Sequence, residues 1–221
     1  MGGIISALLC LYIRSGCQAS VVASALTFHP PDPCYRIEYD EESGHYALYI
    51  GDDSADVTRS QNIKVELLTS RTKTKIPVVV LTHPNAKYTI IYSHGNATDC
   101  GAMLPMYKMI SEFLKVNVVG YDYTGYGASM EYGKRCTEKQ TYIDIETVYE
   151  FCIESKLVSD PSKEIILYGQ SVGSGPSCFL APRKPIAGLV LHAPIMSGLR
   201  VLTDSRLLCC FDIFPNIDRI K

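Results

Sequence analysis

The apolar run Ile165-Ile166-Leu167-Tyr168 is followed at once by Gly169-Gln170-Ser171-Val172-Gly173 and then by a helix-compatible stretch. A strand that feeds Gly-x-Ser-x-Gly into a helix must turn sharply. The flanking glycines are needed because a Cβ at either place would strike the neighbouring strand or helix. The serine is left at the tip of the bend, where its hydroxyl can act as a nucleophile.

The pentapeptide alone recurs in ordinary loops, so its meaning depends on context. A second strand-like run, Tyr88-Thr89-Ile90-Ile91-Tyr92, leads into Ser93-His94-Gly95-Asn96-Ala97, which has the form of a loop that binds an oxyanion. Attack on a carbonyl creates negative charge on its oxygen, and two backbone N–H groups must already point at it. Asn96 and Val172 are the candidates. Val172 follows the serine at a helix N-terminus, where amides lack intrahelical partners and the dipole favours negative charge. His94 reads as a residue that fixes the loop by hydrogen bonding, not as a proton carrier.

The rest of the chain alternates strands and helices. Residues Ile63–Thr69 and Ile76–Thr82 read as a hairpin joined through the polar segment Ser70–Lys75. Ala102–Leu114 has helical apolar spacing, Val116–Tyr121 is β-rich, and Asp122-Tyr123-Thr124-Gly125-Tyr126-Gly127 is a turn. Thr137–Lys156 places Tyr142, Ile145, Tyr149 and Cys152 on one helical face, read as core. A helix from Val172 to about Ala181 and a buried strand over Ile186–Leu191 follow. This order predicts an α/β protein with a mostly parallel sheet covered by helices on both faces.

A chain of 221 residues suffices for one sizeable domain, and a net charge of −2 leaves no broad basic surface for nucleic acid. The nine cysteines include no Cys-x-x-Cys pair and their number is odd, so the thiols are expected to be mostly free in a reducing compartment. Cys34, Cys100, Cys136, Cys152 and Cys178 read as small apolar packing residues, and none suggests a metal site. No cofactor is implied. Cys209-Cys210 lies in the apolar patch Leu207–Phe214, read as buried rather than lipidated.

The N-terminus carries its own signal. Met1-Gly2-Gly3-Ile4-Ile5-Ser6 fits the myristoylation pattern at Gly2. Cys10 and Cys17 fall in a stretch from Ile4 to Phe28 whose only charge is Arg14, and are S-acylation candidates. Ile4–Ile13 is too short to span a bilayer, which takes roughly twenty residues. Two lipids hold stably where one binds reversibly. Peripheral attachment to the cytosolic face of a membrane is therefore expected. The breaker His29-Pro30-Pro31-Asp32-Pro33 divides an anchoring segment, 1–33, from a domain, 34–221.

Four motifs in order, residues 88–97, 121–127, 165–173 and 191–200, together with Phe-Pro-Asn-Ile-Asp at 214–218, resemble the α/β-hydrolase domain-containing protein 17 family. The resemblance covers about residues 60 to 221. It implies an α/β-hydrolase fold and a membrane-anchored serine hydrolase that removes palmitate from cysteines of other proteins, at the plasma membrane or endosomes. S-palmitoylated proteins would be its substrates. The family carries an N-terminal cysteine cluster that is palmitoylated, of which Cys10 and Cys17 are a sparse version. The myristoylation-like start departs from it.

The family places its catalytic aspartate and histidine after the strand that follows the elbow strand. Only His192 lies beyond Ser171 here, at a position that is non-catalytic in the family; Asp204, Asp212 and Asp218 follow without a later histidine. By that comparison the chain lacks the last strands and helices, about 60 residues or more at about 30 per strand-helix-strand unit. An unpaired sheet edge and an uncovered apolar face are expected. Three accounts stay open: a fragment, a short isoform, or a non-catalytic relative that keeps the scaffold. Without a base the serine would be a poor nucleophile, so little or no turnover is expected of the chain as given. Other readings are a membrane-tethered binding protein and a general lipid or peptide hydrolase.

Overall fold

The computed structural model describes residues 10, 12–14, 16, 18–51, 55–60, 62–198 and 212–220. Gly2, Cys17, Asp204, Cys209 and Cys210 lie outside them.

Six strands form the central sheet: β3 (Ile63–Thr69), β4 (Lys75–Leu81), β5 (Thr89–Ser93), β6 (Asn117–Tyr121), β7 (Ile165–Gln170) and β8 (Gly188–His192). Their spatial order is β3-β4-β6-β5-β7-β8. β3, β4 and β6 pair antiparallel, whereas β6, β5, β7 and β8 run parallel. A separate antiparallel hairpin, β1 (Tyr35–Asp40) with β2 (His45–Ile50), precedes the sheet.

The parallel strands are joined by helices because a parallel return needs a long crossover. α2 (Cys100–Leu114) connects β5 to β6. Asp99 caps it, accepting from Ala102 N at 2.9 Å, and Lys115 ends it in the left-handed conformation. α3 (Glu138–Glu154), capped by Thr137, and the short α4 (Pro161–Glu164) lead to β7; α5 (Ser174–Leu180) leads to β8. Each strand's alternation sends side chains to two cores. Ile90, Tyr92 and Val118 meet Leu104 and Tyr107 of α2 on one face. On the other, Ile91, Val119 and Leu167 meet Ile145, Val148, Tyr149 and Cys152 of α3 and Leu180 of α5. The residues assigned to the inner face of α3 are buried or packed against that core.

The hairpin of β1 and β2 is not in the sequence reading, and two further features differ from it. The strand read as buried over Ile186–Leu191 runs from Gly188 to His192 and is half-exposed, with Val190 at 42%. It pairs with β7 on one side, and among the described residues no strand pairs with the other. Apolar composition identified a strand there but carried no information about its lateral position.

The second difference lies at the N-terminus. Ala19–Thr27 forms a helix, α1, which packs on the face that carries α3 and α5, with Val22, Ala23 and Phe28 buried. Phe28 meets Phe214 edge-to-face at 5.9 Å. The prolines after His29 follow the end of α1, but the packed unit includes the helix before them. A final short helix, α6 (Asn216–Arg219), packs against α5. No helix among the described residues is long and apolar enough to cross a membrane. The six described cysteines are unpaired; Cys10 is exposed, Cys34 half-buried and the other four buried.

Candidate active site

The registers align Ser93 of β5 with both Tyr121 of β6 and Gly169 of β7. The loops after these three strands therefore emerge side by side. The chain leaves β5 for β6 on one side and later returns to β7 on the other, so the carboxyl ends of β5 and β7 flank the point where the strand order reverses. Open α/β sheets bind ligands at that point.

Ser171 follows β7 there and begins a single 3-10 turn before α5. Its φ is +51°, a left-handed conformation that a residue with a Cβ adopts at a cost of about 1–3 kcal/mol. The bend forces close packing around it. A Cβ on Gly169 would lie 2.7 Å from the Gly173 carbonyl oxygen and 2.8 Å from Ser177 Oγ, and one on Gly173 would strike the carbonyls of Ser93 and His94. The pentapeptide glycines thus meet the steric demand read from the sequence. Ser171 is half-buried, Val172 is buried, and Gly95 approaches Gln170 so that the two loops meet.

The Ser171 carbonyl is held from within the turn. Ser174 Oγ donates to it at 2.6 Å and accepts from Ile195 N at 3.2 Å and from Asn216 Nδ2 at 3.1 Å. Asn216 Nδ2 also donates to the Ile195 carbonyl at 2.9 Å. Neither Ser174 nor Asn216 stands out in the sequence as part of a site, because both act through contacts distant along the chain.

The loop after β5 is fixed from below. His94 is fully buried; its Nδ1 lies 2.7 Å from the Gly95 carbonyl, and Tyr123 Oη donates to the His94 carbonyl at 2.7 Å. His94 Nε2 is 3.1 Å from Asp122 Oδ1 without the alignment of a hydrogen bond. Asp122 accepts from Cys100 N at 2.9 Å and from the Tyr35 hydroxyl of β1. His94 therefore belongs to the buried support of the loop, as read from the sequence. Asn96 is half-buried, and its side chain makes three hydrogen bonds that the sequence did not announce.

None of the five histidines hydrogen-bonds Ser171 among the described residues. His192 lies opposite Gln170 on the adjoining strand, yet its Nδ1 faces Tyr168 Oη at 3.2 Å. His29 pairs with the Leu26 carbonyl and His83 with Asn85 N, while His45 sits in β2. The described inner thiols are raised by their surroundings, not activated. Burial, reinforced by the Asp99 carboxylate at 2.9 Å, pushes Cys34 up to about 12, and burial pushes Cys152 to about 12. Asp144, behind the 122–127 turn, is raised to about 6 by burial, opposed by hydrogen bonds from Gln140 and from Thr124 N and Oγ1. No cluster of His, Cys, Asp and Glu that could hold a metal occurs among the described residues.

Residues 84–208 match the family model described as serine aminopeptidase, S33. The chain is 40% identical to Alpha/beta hydrolase domain-containing protein 17B of Homo sapiens over 98% of its length and 75% of that protein's. It is 35% identical to Alpha/beta hydrolase domain-containing protein 17C of Mus musculus, covering 91% of this chain and 71% of the other. Among solved structures it is similar to an alpha-beta hydrolase from Vibrio vulnificus, with a TM-score of 0.53 and 16% identity. It is also similar to a thermostable carboxyl esterase from Bacillus coagulans, with a TM-score of 0.51 and 16% identity. These matches cover 68% and 60% of this chain but 53% and 44% of the two structures, and they show the α/β-hydrolase fold.

Proposed function

Because this chain belongs to the α/β-hydrolase domain-containing protein 17 family, a group of hydrolases, we propose that it is a serine hydrolase of the palmitoyl-protein thioesterase type. The observation that carries this reading is the left-handed Ser171 at the bend between β7 and α5, beside the loop after β5. In the proposed reaction, Ser171 Oγ attacks the carbonyl carbon of a cysteine thioester as a general base, which no described histidine provides, takes the hydroxyl proton. The tetrahedral oxyanion is met by the backbone N–H groups of Asn96 and Val172. Collapse expels the cysteine thiolate, which is protonated, and leaves an acyl-serine. Water then attacks that ester and releases the fatty acid, returning the proton to Ser171.

Substrates would be S-palmitoylated proteins on the cytosolic face of the plasma membrane or endosomes. Attachment through lipids on Gly2 and on Cys10 or Cys17 would bring the enzyme to them. Cys10 is exposed, which suits acylation. That no histidine hydrogen-bonds Ser171 among the described residues favours a second reading, a membrane-tethered protein that binds acylated partners without hydrolysing them.

A fluorophosphonate probe separates the two. The hydrolase reading expects covalent labelling that Ser171→Ala abolishes; equal labelling of both proteins refutes the assignment of Ser171, and binding of palmitoylated peptide with no labelling of either protein favours the binding protein. A general lipid or peptide hydrolase would label in the same way and is distinguished by preferring oxygen esters or peptides over thioesters.

A further inference from the structure

The side chain of Asn96 is where α1 meets the loop after β5. Asn96 Nδ2 donates to the Thr27 carbonyl at 2.6 Å, and Asn96 Oδ1 accepts from His29 N at 3.0 Å and from Tyr126 Oη at 2.5 Å. Thr27 and His29 flank Phe28, whose ring is buried against Phe214. Both polar ends of one amide are thereby committed to the end of the N-terminal helix, 67 and 69 residues away along the chain.

We infer that Asn96 is a positioning residue that couples the docking of α1 to the order of the loop carrying a proposed oxyanion donor, so that the N-terminal helix is part of the site's support. The coupling to catalysis rests on the serine hydrolase reading; the coupling of helix to loop does not.

The helix is suited to having two positions. Nine residues are too few for a stable isolated helix, since helices shorter than about 12–15 residues are marginal in water, so α1 owes its structure to docking. One flank is open: a groove of about 640 Å³ lies between Val21, Ala25 and Phe28 and the loop containing Met130 and Cys136. The outer face is uncharged and carries the exposed Val21 and Leu26. Undocking would remove two of the three partners of Asn96 and leave its amide to re-pair elsewhere. By reciprocity, loosening Asn96 must loosen α1 by the same free energy.

Amide hydrogen exchange on the full chain tests the coupling without requiring turnover. Phe28→Ala, which removes the ring that seats α1, is expected to speed exchange of residues 94–98 about tenfold, while α2 and α3 keep their protection. Asn96→Ala is expected to speed exchange of residues 22–29 to a similar degree. In the double variant the Phe28→Ala effect on residues 94–98 should largely vanish, because the connection is already cut. Tyr126→Phe, nearly isosteric, keeps the test open where Phe28→Ala loosens the whole domain: it should speed exchange at residues 27–29 alone. Undiminished loosening of 94–98 in the double variant, or no response of residues 22–29 to Asn96→Ala or Tyr126→Phe, overturns the inference. Ser171→Ala should leave every one of these changes in place. Coupling without probe labelling would then count against the hydrolase reading only, and labelling without coupling against this one only.

Discussion

Ser174 Oγ donates to the carbonyl of Ser171 at 2.6 Å, three residues back along the chain. The same oxygen accepts from Ile195 N and Asn216 Nδ2, so one fully buried hydroxyl joins the bend to the segment after β8 and to α6. Buried polar groups lose more from a missing partner than from a missing bond, because the partner keeps its desolvation cost. Ser174→Ala leaves Asn216 Nδ2 and Ile195 N short of an acceptor. It is expected to lower unfolding free energy by about 1–3 kcal/mol, read as an earlier urea midpoint, whereas Ser162→Ala on the exposed α4 should change little.

Gly173 offers a sharper steric test. An alanine methyl there must displace the backbone of Ser93 and His94, and backbone yields less readily than the end of a side chain. Gly173→Ala is expected to cost about 1–3 kcal/mol or more. Gly188, whose Cβ direction is open, serves as the control, and thermal unfolding of the two variants should separate them clearly.

Asp144 gives a pH dependence of defined sign. Its carboxyl titrates near 6 in the folded protein, above the ordinary 3.8, because burial disfavours the charge. The folded state then binds the proton more tightly than the unfolded chain. Its contribution is fully present below about pH 4 and is lost as pH rises through 6, with a span on the order of 3 kcal/mol. The unfolding free energy of wild type minus that of Asp144→Asn, measured by urea unfolding from pH 4.5 to 7, should fall as pH rises. A signed difference that stays constant, or rises with pH, would contradict this account of the site.

Tyr35 places its hydroxyl on Asp122, beneath His94, and both side chains are almost wholly enclosed. Tyr35→Phe removes one donor from a buried carboxylate while keeping the ring. A loss of about 1–3 kcal/mol is expected in urea unfolding, together with loosened exchange in the 94–98 loop. Tyr39→Phe, on the exposed side of the same hairpin, should be silent in both.

Membrane attachment is tested by fractionation. A single myristoyl chain gives marginal binding and a second lipid makes it persistent. Cys10→Ser with Cys17→Ser is expected to shift the protein substantially into the soluble fraction, and adding Gly2→Ala to release it fully. Retention of the triple variant on membranes would refute the lipid anchor.

Much of this arrangement was legible in the sequence because its signals are local. Strand composition, helix spacing over 102–114 and 137–156, and glycines at 169 and 173 each report on a neighbourhood of a few residues, and the folded chain keeps them there. One local element is not in the sequence reading, the hairpin of Tyr35–Asp40 and His45–Ile50, although the run Asp40-Glu41-Glu42-Ser43-Gly44 at its turn carries a turn signal. The rest of what the sequence does not show is contacts between distant segments. α1 was read only as lipid-anchoring sequence, since apolar residues that dock on a domain and those that enter a bilayer are chemically alike. Asn96 was assigned a role for its backbone, and nothing nearby in sequence could reveal that its side chain reaches Thr27 and His29.

The dihedral of +51° at Ser171 has a consequence for how sturdy this protein can be. Glycine enters that region without the penalty imposed by a β-carbon, so Ser171→Gly should raise the melting temperature even as it deletes the hydroxyl. A chain selected for durability alone would carry glycine at this corner; keeping serine there trades ruggedness for the hydroxyl that the proposed nucleophile requires.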